Sequence, residues 1–215
     1  MSRFADPVVL FPTIAVLLLG VIWTATAELV KVRYADAQHA AAASNRELLG
    51  TYEAQVVRAL REIDQSLNLV KYWRERDRGR QTLAELKDKG LLPPDLLFTV
   101  SIADAHGAII DSTAPPPRPD VAGKDYFLAQ RESEMLSAGR PARGAADDAT
   151  LPFSRRLNKA DGSFDGVVIV MVGAGYFVSG YDASKLGEHG VLAIVGTDGI
   201  VRVRRSGESD RKSVV

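Results

Sequence analysis

Apolar side chains follow three different rhythms along this chain. From Pro7 to Ala27 no residue is charged, and VVLFPTIAVLLLGVIWTATA makes up nearly all of the run. About 20 apolar residues at 1.5 Å rise match a hydrocarbon core of about 30 Å, so 7–27 predicts a transmembrane helix. Trp23 suits an interfacial anchor near its far end. The second rhythm is helical. Between Glu28 and Arg78 there is no proline, and Val56, Leu60, Ile63, Leu67 and Val70 recur at spacings of four, three, four and three. That is a heptad seam, with Leu49 and Tyr52 extending it backwards. Residues 28–78 therefore read as one long helix whose second half has a face to bury, on its own domain, on a second copy, or on each in different portions.

The third rhythm has period two. Leu151, Phe153, Arg155 and Leu157 share one face of a strand, and Pro152, Ser154, Arg156 and Asn158 share the other. Gly166–Val172 is apolar on both faces, as expected of a central strand covered on both sides. Leu97–Ala103 and Ala108–Asp111 predict a hairpin around Asp104-Ala105-His106-Gly107, and Val191–Val195 with Ile200–Val203 another around Thr197-Asp198-Gly199. Between these, Gln81–Lys89 reads as a short helix ended by Gly90, Ala114–Pro119 as a surface loop, and Lys124 as the start of a helix reaching about Leu136. Gly139–Asp148 reads as polar and flexible, and 205–215 as an unstructured tail. The fold class is α+β: an N-terminal transmembrane helix continuing into a long helix, then an antiparallel sheet flanked by short helices over 79–204.

Charge and composition narrow the function by exclusion. The 27 basic and 27 acidic residues among 215 balance, so no global field argues for nucleic acid. Cysteine is absent, which removes thiol catalysis and cysteine metal sites. His39, His106 and His189 stand alone in helix, turn and loop, so no zinc site or serine–histidine–aspartate centre follows. Gly173-Ala174-Gly175 follows a strand, but Tyr176-Phe177 would crowd a pyrophosphate. No cofactor, metal site or catalytic residue is expected. Ala25-Thr26-Ala27 has the small-x-small form of a signal-peptidase site behind Arg3, so an uncleaved anchor and a cleaved, secreted chain both stand as readings.

The order of these motifs resembles a known family. The membrane helix, the long helix, the Asp104–Gly107 hairpin, Lys124-Asp125-Tyr126-Phe127, the Pro152–Leu157 strand, Asp161–Val168 and the Asp198-Gly199 hairpin together resemble a Cache-type extracytoplasmic sensor domain. The likeness is to the first lobe of double-Cache regions in membrane-bound diguanylate cyclases and histidine kinases, and it covers Ala35 to Arg204. The resemblance implies a PAS-like antiparallel sheet packed along the long helix, a small-molecule pocket on the sheet, and a homodimer through that helix. It implies a protein of the inner (cytoplasmic) membrane with residues 1–6 inside and the sensor domain in the periplasm. It also implies a cyclase or kinase output beyond this chain, with 205–215 a truncation point. Lys124 stands where the family often has arginine. Gly173 stands where amino-acid-binding members often carry an aspartate for the ligand's amino group.

The chemistry then centres on Arg155. A guanidinium among apolar side chains needs an anion, supplied by a ligand or by a protein carboxylate such as Asp125 or Asp182. Lys124 and Tyr126 are its expected co-ligands, and Tyr181 and Asp182, which follow the aromatic Tyr176-Phe177 connection, would line the same mouth. The expected function is recognition of a small anionic molecule and transmission by helix movement, with no enzymatic activity in this chain. A ligand-free dimerisation domain is the second reading, and a secreted enzyme released after Ala27 is the third.

Overall fold

The computed structural model describes residues 7–77, 82–92, 98–116, 118–143, 149–179, 186 and 190–207. The chain divides into two compact units, Met1–Glu53 and Ala54–Val215. Helix α1, Pro7–Asp77, runs through both. In the first unit the stretch Leu10–Tyr34 is long and apolar enough to cross a membrane, and Phe11, Leu17, Leu19, Val21 and Trp23 expose more than half of their surface. Its hydroxyls are satisfied within the helix, with Thr24 donating to Gly20 O at 3.0 Å and Thr26 to Ile22 O at 2.7 Å. Such internal bonding lets a threonine sit in apolar surroundings.

The second unit is the expected α+β arrangement. Helix α2 (Leu83–Asp88) precedes the hairpin β1 (Phe98–Asp104) and β2 (Ile109–Ser112). Then come α3 (Asp125–Glu132), the two-residue strands β3 (Ser137–Ala138) and β4 (Ala142–Arg143), and the long pair β5 (Ala149–Asn158) and β6 (Phe164–Gly173). A short α4 (Gly175–Val178) leads towards the terminal hairpin of β7 (Val191–Val195) and β8 (Val201–Ser206). The main sheet has the order β2-β1-β6-β5-β3, with β4 also on β5, and every pairing is antiparallel. The β7–β8 pair forms a separate two-stranded sheet.

Local chemistry accounts for the element ends. Thr82 accepts from Glu85 N at 3.3 Å to start α2. Gly90, at φ +69°, closes it with Gly90 N on Lys87 O and Leu91 N on Leu86 O, a Schellman ending. Gly166, at φ +145°, lets β6 approach β1: a Cβ there would stand 2.1 Å from Ala103 O.

Three expectations are corrected. Helix α3 ends at Glu132, not near Leu136, because Ser133 turns to an extended φ of −139° and the Gln130 amide holds Met135 O at 2.9 Å. The stretch after Gly139 is not wholly irregular, because β4 is held on β5 through Ala142↔Thr150. The tail does not begin at Arg205, since β8 pairs Arg205 with Leu192 and Ser206 with Val191.

The helical stripe is used by this unit's own core. Ile63, Leu67 and Val70 are fully buried with Leu83, Leu86, Val100, Phe153 and Leu157. Val56 and Leu60 pack against the same cluster, while Leu49 is exposed. A smaller core of Ala103, Val121, Tyr126, Phe127, Val167 and Ile169 covers the other face. Both faces of β6 are thus buried, as its unbroken apolar run requires.

Candidate functional site

Alternation along β5 sends Leu151, Phe153 and Leu157 into the core beneath α1 and carries Arg155 to the same side. There it meets Asp64, one residue beyond Ile63 on the helix. Arg155 Nε donates to Asp64 Oδ1 at 2.6 Å and Nη2 to Oδ2 at 3.0 Å, while Nη1 donates to Glu134 O at 3.0 Å. Asn68 Nδ2 adds a donor to Asp64 Oδ2 at 3.2 Å. The two side chains are 21% and 30% exposed, so the fork is partly desolvated. The carboxylate that holds Arg155 is therefore Asp64 and not Asp125; Asp182, the other carboxylate expected, lies outside the described residues. Asp125 instead caps its own helix at Tyr126 N and accepts from Arg140 N at 2.9 Å.

Lys124 and Tyr126 stand on the opposite side of the sheet. Lys124 occupies the N-cap position of α3, exposed and without a side-chain cap bond. Tyr126 is buried, and its carbonyl accepts from Ser154 Oγ at 2.7 Å. Burial, with Asp125 adding negative charge beside it, pushes the Tyr126 hydroxyl up to about 12. The folded state then holds this proton where the unfolded chain has lost it. Stability is fully present below about pH 10 and declines as pH rises from about 10 to 12. Tyr126→Phe should flatten that part of an alkaline denaturation profile; an unchanged profile would show that the hydroxyl does not titrate so late. Arg155 and the Lys124–Tyr126 pair do not converge on one site, and Tyr181 and Asp182 lie outside the described residues.

The α3 face carries polar residues that the sequence did not single out. Ser154 and Gln130 are both fully buried, and Gln130 Nε2 donates to Ser154 O at 2.9 Å. Arg156, the neighbour of Arg155, donates through Nη1 to Gln130 O and Arg131 O at 3.3 and 2.8 Å, capping the end of α3, with its head 5.1 Å from the Phe164 ring centroid. The signal was present: a central strand apolar on both faces requires a cover on this side too. Among the described residues no three His, Asp or Glu side chains converge to hold a metal.

A cavity of about 380 Å³ opens on the α1 side, between Val56 and Leu60 of the helix, Leu151 and Phe153 of β5, and the β7–β8 hairpin. Arg202 of β8 reaches its wall with a side chain 11% exposed. Arg155, Lys124 and Tyr126 are not among the described residues that line it.

No family model matches this sequence, and no curated protein matches it significantly. Solved structures do share its architecture. The extracellular domain of a protein described as a histidine kinase, rpHK1S-Z16, superimposes with a TM-score of 0.60 at 19% identity, covering 78% of this chain and 74% of that one. An extracellular ligand-binding receptor from Desulfohalobium retbaense DSM5692 gives 0.56 at 16% identity, covering 72% of this chain and 29% of that one. At these identities the likeness establishes the fold alone: an antiparallel sheet packed along a long helix, shared with these two extracellular domains.

Proposed function

We propose that this chain is a membrane-anchored extracytoplasmic sensor that binds a small anionic molecule and passes the signal on through α1. The observation that carries the reading is the continuity of α1. One helix runs from the apolar Leu10–Tyr34 stretch to Leu67 and Val70 in the core, where Asp64 is held by the sheet through Arg155. A ligand that favours one placement of the sheet against this helix shifts its equilibrium; equal affinity for both placements shifts nothing. Arg155 acts here as the link between sheet and helix, while Lys124 and Tyr126 belong to the α3 face. The likeness to a histidine kinase's extracellular domain supports a kinase output, and a diguanylate cyclase fits the same arrangement. The stretch of α1 around exposed Leu49 is the proposed homodimer contact. The anchor lies in the inner membrane, with the sensor in the periplasm.

A second reading is favoured by the fork between Arg155 and Asp64: a ligand-free scaffold, its arginine already paired. Calorimetry and thermal shifts of the full chain against carboxylates and phosphorylated metabolites separate the two. Saturable binding supports the sensor, and silence across the panel leaves the scaffold.

A further inference from the structure

We infer that the cavity between α1, β5 and the β7–β8 hairpin binds a small monocarboxylate with an apolar body, gripped by Arg202. This rests on the sensor reading in one respect, that the chain recognises a small molecule. Its volume of about 380 Å³ falls in the range of small-molecule sites, and its walls are largely aliphatic and aromatic, with Phe177 and Ile194 adding to the residues named above. Arg202 is the one charged residue among the described residues lining it.

The guanidinium is under-satisfied where it stands. Of its five N–H donors, Nη2 uses two, on Asp198 Oδ2 at 2.8 Å and on Ala138 O at a long 3.3 Å. Nε and Nη1 are buried and meet no acceptor from the described residues. Buried donors without acceptors are unfavourable, so a carboxylate entering the cavity gives the head a reason to turn towards it, exchanging the weak Ala138 contact for stronger charge-assisted bonds. The hairpin is shaped around this group. A Cβ on Gly196 would lie 2.5 Å from Asp198 Oδ1 and 3.1 Å from Arg202 Nη2. The Arg202 hydrogen bond, with that from Ile200 N, holds the Asp198 carboxyl below its ordinary range, keeping it ionised as the arginine's tether.

The same residues define the ligand by exclusion. Asp198 already answers part of the single positive charge, so a phosphate dianion would bring charge that nothing in the wall neutralises. No described lining residue is acidic, so the ammonium of an amino acid would go unpaired. A simple carboxylate with a compact hydrocarbon body meets both conditions. Bound there, it touches α1 through Val56 and Leu60 and the hairpin through Arg202 at once.

The test is calorimetry on the full chain in detergent with phenylacetate, phenylacetamide, phenyl phosphate and phenylalanine as probes. Phenylacetate should bind at least about tenfold more tightly than the other three. Arg202→Gln should remove that preference while leaving any phenylacetamide binding as it was. Should Arg202→Gln fail to fold by circular dichroism, Thr197→Trp, an exposed turn residue lining the cavity, provides the second arm by narrowing it. Loss of phenylacetate in either folded variant supports the site. Unchanged phenylacetate binding in a folded variant overturns it, as does no phenylacetate binding by the wild type. If other metabolites bind the wild type in that last case, this site alone fails; if none does, the sensor reading fails with it.

Discussion

Leu67→Ala should lower the stability of the sensor unit by about 3 kcal/mol, the range for truncating a fully buried leucine. Leu67 has no exposed surface and lies between Ile63 and Val70 on the α1 stripe packed into the larger core. The cluster it belongs to draws on β1, β5 and β6, and β6 is hydrogen-bonded to both of the others, so the sheet cannot easily collapse into the space left behind. Denaturant unfolding followed by far-ultraviolet circular dichroism measures the effect. A loss below about 1 kcal/mol would mean that helix and sheet are not packed as described. Leu49→Ala, on the exposed part of the same seam, should change stability by no more than about 0.5 kcal/mol.

Arg155→Ala should cost about 2 kcal/mol, and Asp64→Ala a similar amount, because each leaves a partly desolvated charge without its partner. The double variant should lose clearly less than the two singles together, with a coupling of about 1 kcal/mol or more. Exposure of 21% and 30% keeps these values below those of a fully buried pair. Arg155→Lys should recover only part of the loss, since an ammonium cannot reproduce two parallel bonds and the third to Glu134 O. Strict additivity in the cycle would sink the pairing. In a signalling assay the same variants should uncouple binding from output, with ligand affinity in the Arg202 cavity retained.

What the sequence disclosed follows from periodicity. The stripe Val56–Val70 and the alternation of Leu151, Phe153 and Leu157 each announce one buried face, and the structure presses those two faces together. That Arg155 shares the apolar face was also legible. Its partner was not, because Asp64 lies next to the stripe and reads locally as an exposed helix residue, 91 positions away in sequence. Arg156 was passed over for a related reason. Alternation places it on the face opposite Arg155 and says nothing of what covers that face; α3 does so and takes the guanidinium at its carbonyl end. The edge strands β3 and β4 had no local signal at all. Small residues such as Ser137, Ala138 and Ala142 become strand only because β5 offers a free edge. Nothing local marks Arg202, and only the fold reveals that its head is enclosed.

The strand order also sets a timetable. Strand β1 closes on β6 through Phe98↔Val172, and β5 follows β1 in the chain, so the sheet cannot be completed until β6 has been synthesised. The stripe at Ile63, Leu67 and Val70 therefore leaves the ribosome about 100 residues before its cover exists, roughly 5–20 s at ordinary elongation rates. For that interval the apolar face at Ile63, Leu67 and Val70 has no sheet to rest on. Chaperone occupancy during synthesis, and not the equilibrium stability of the finished domain, should govern how much of this protein reaches its folded state.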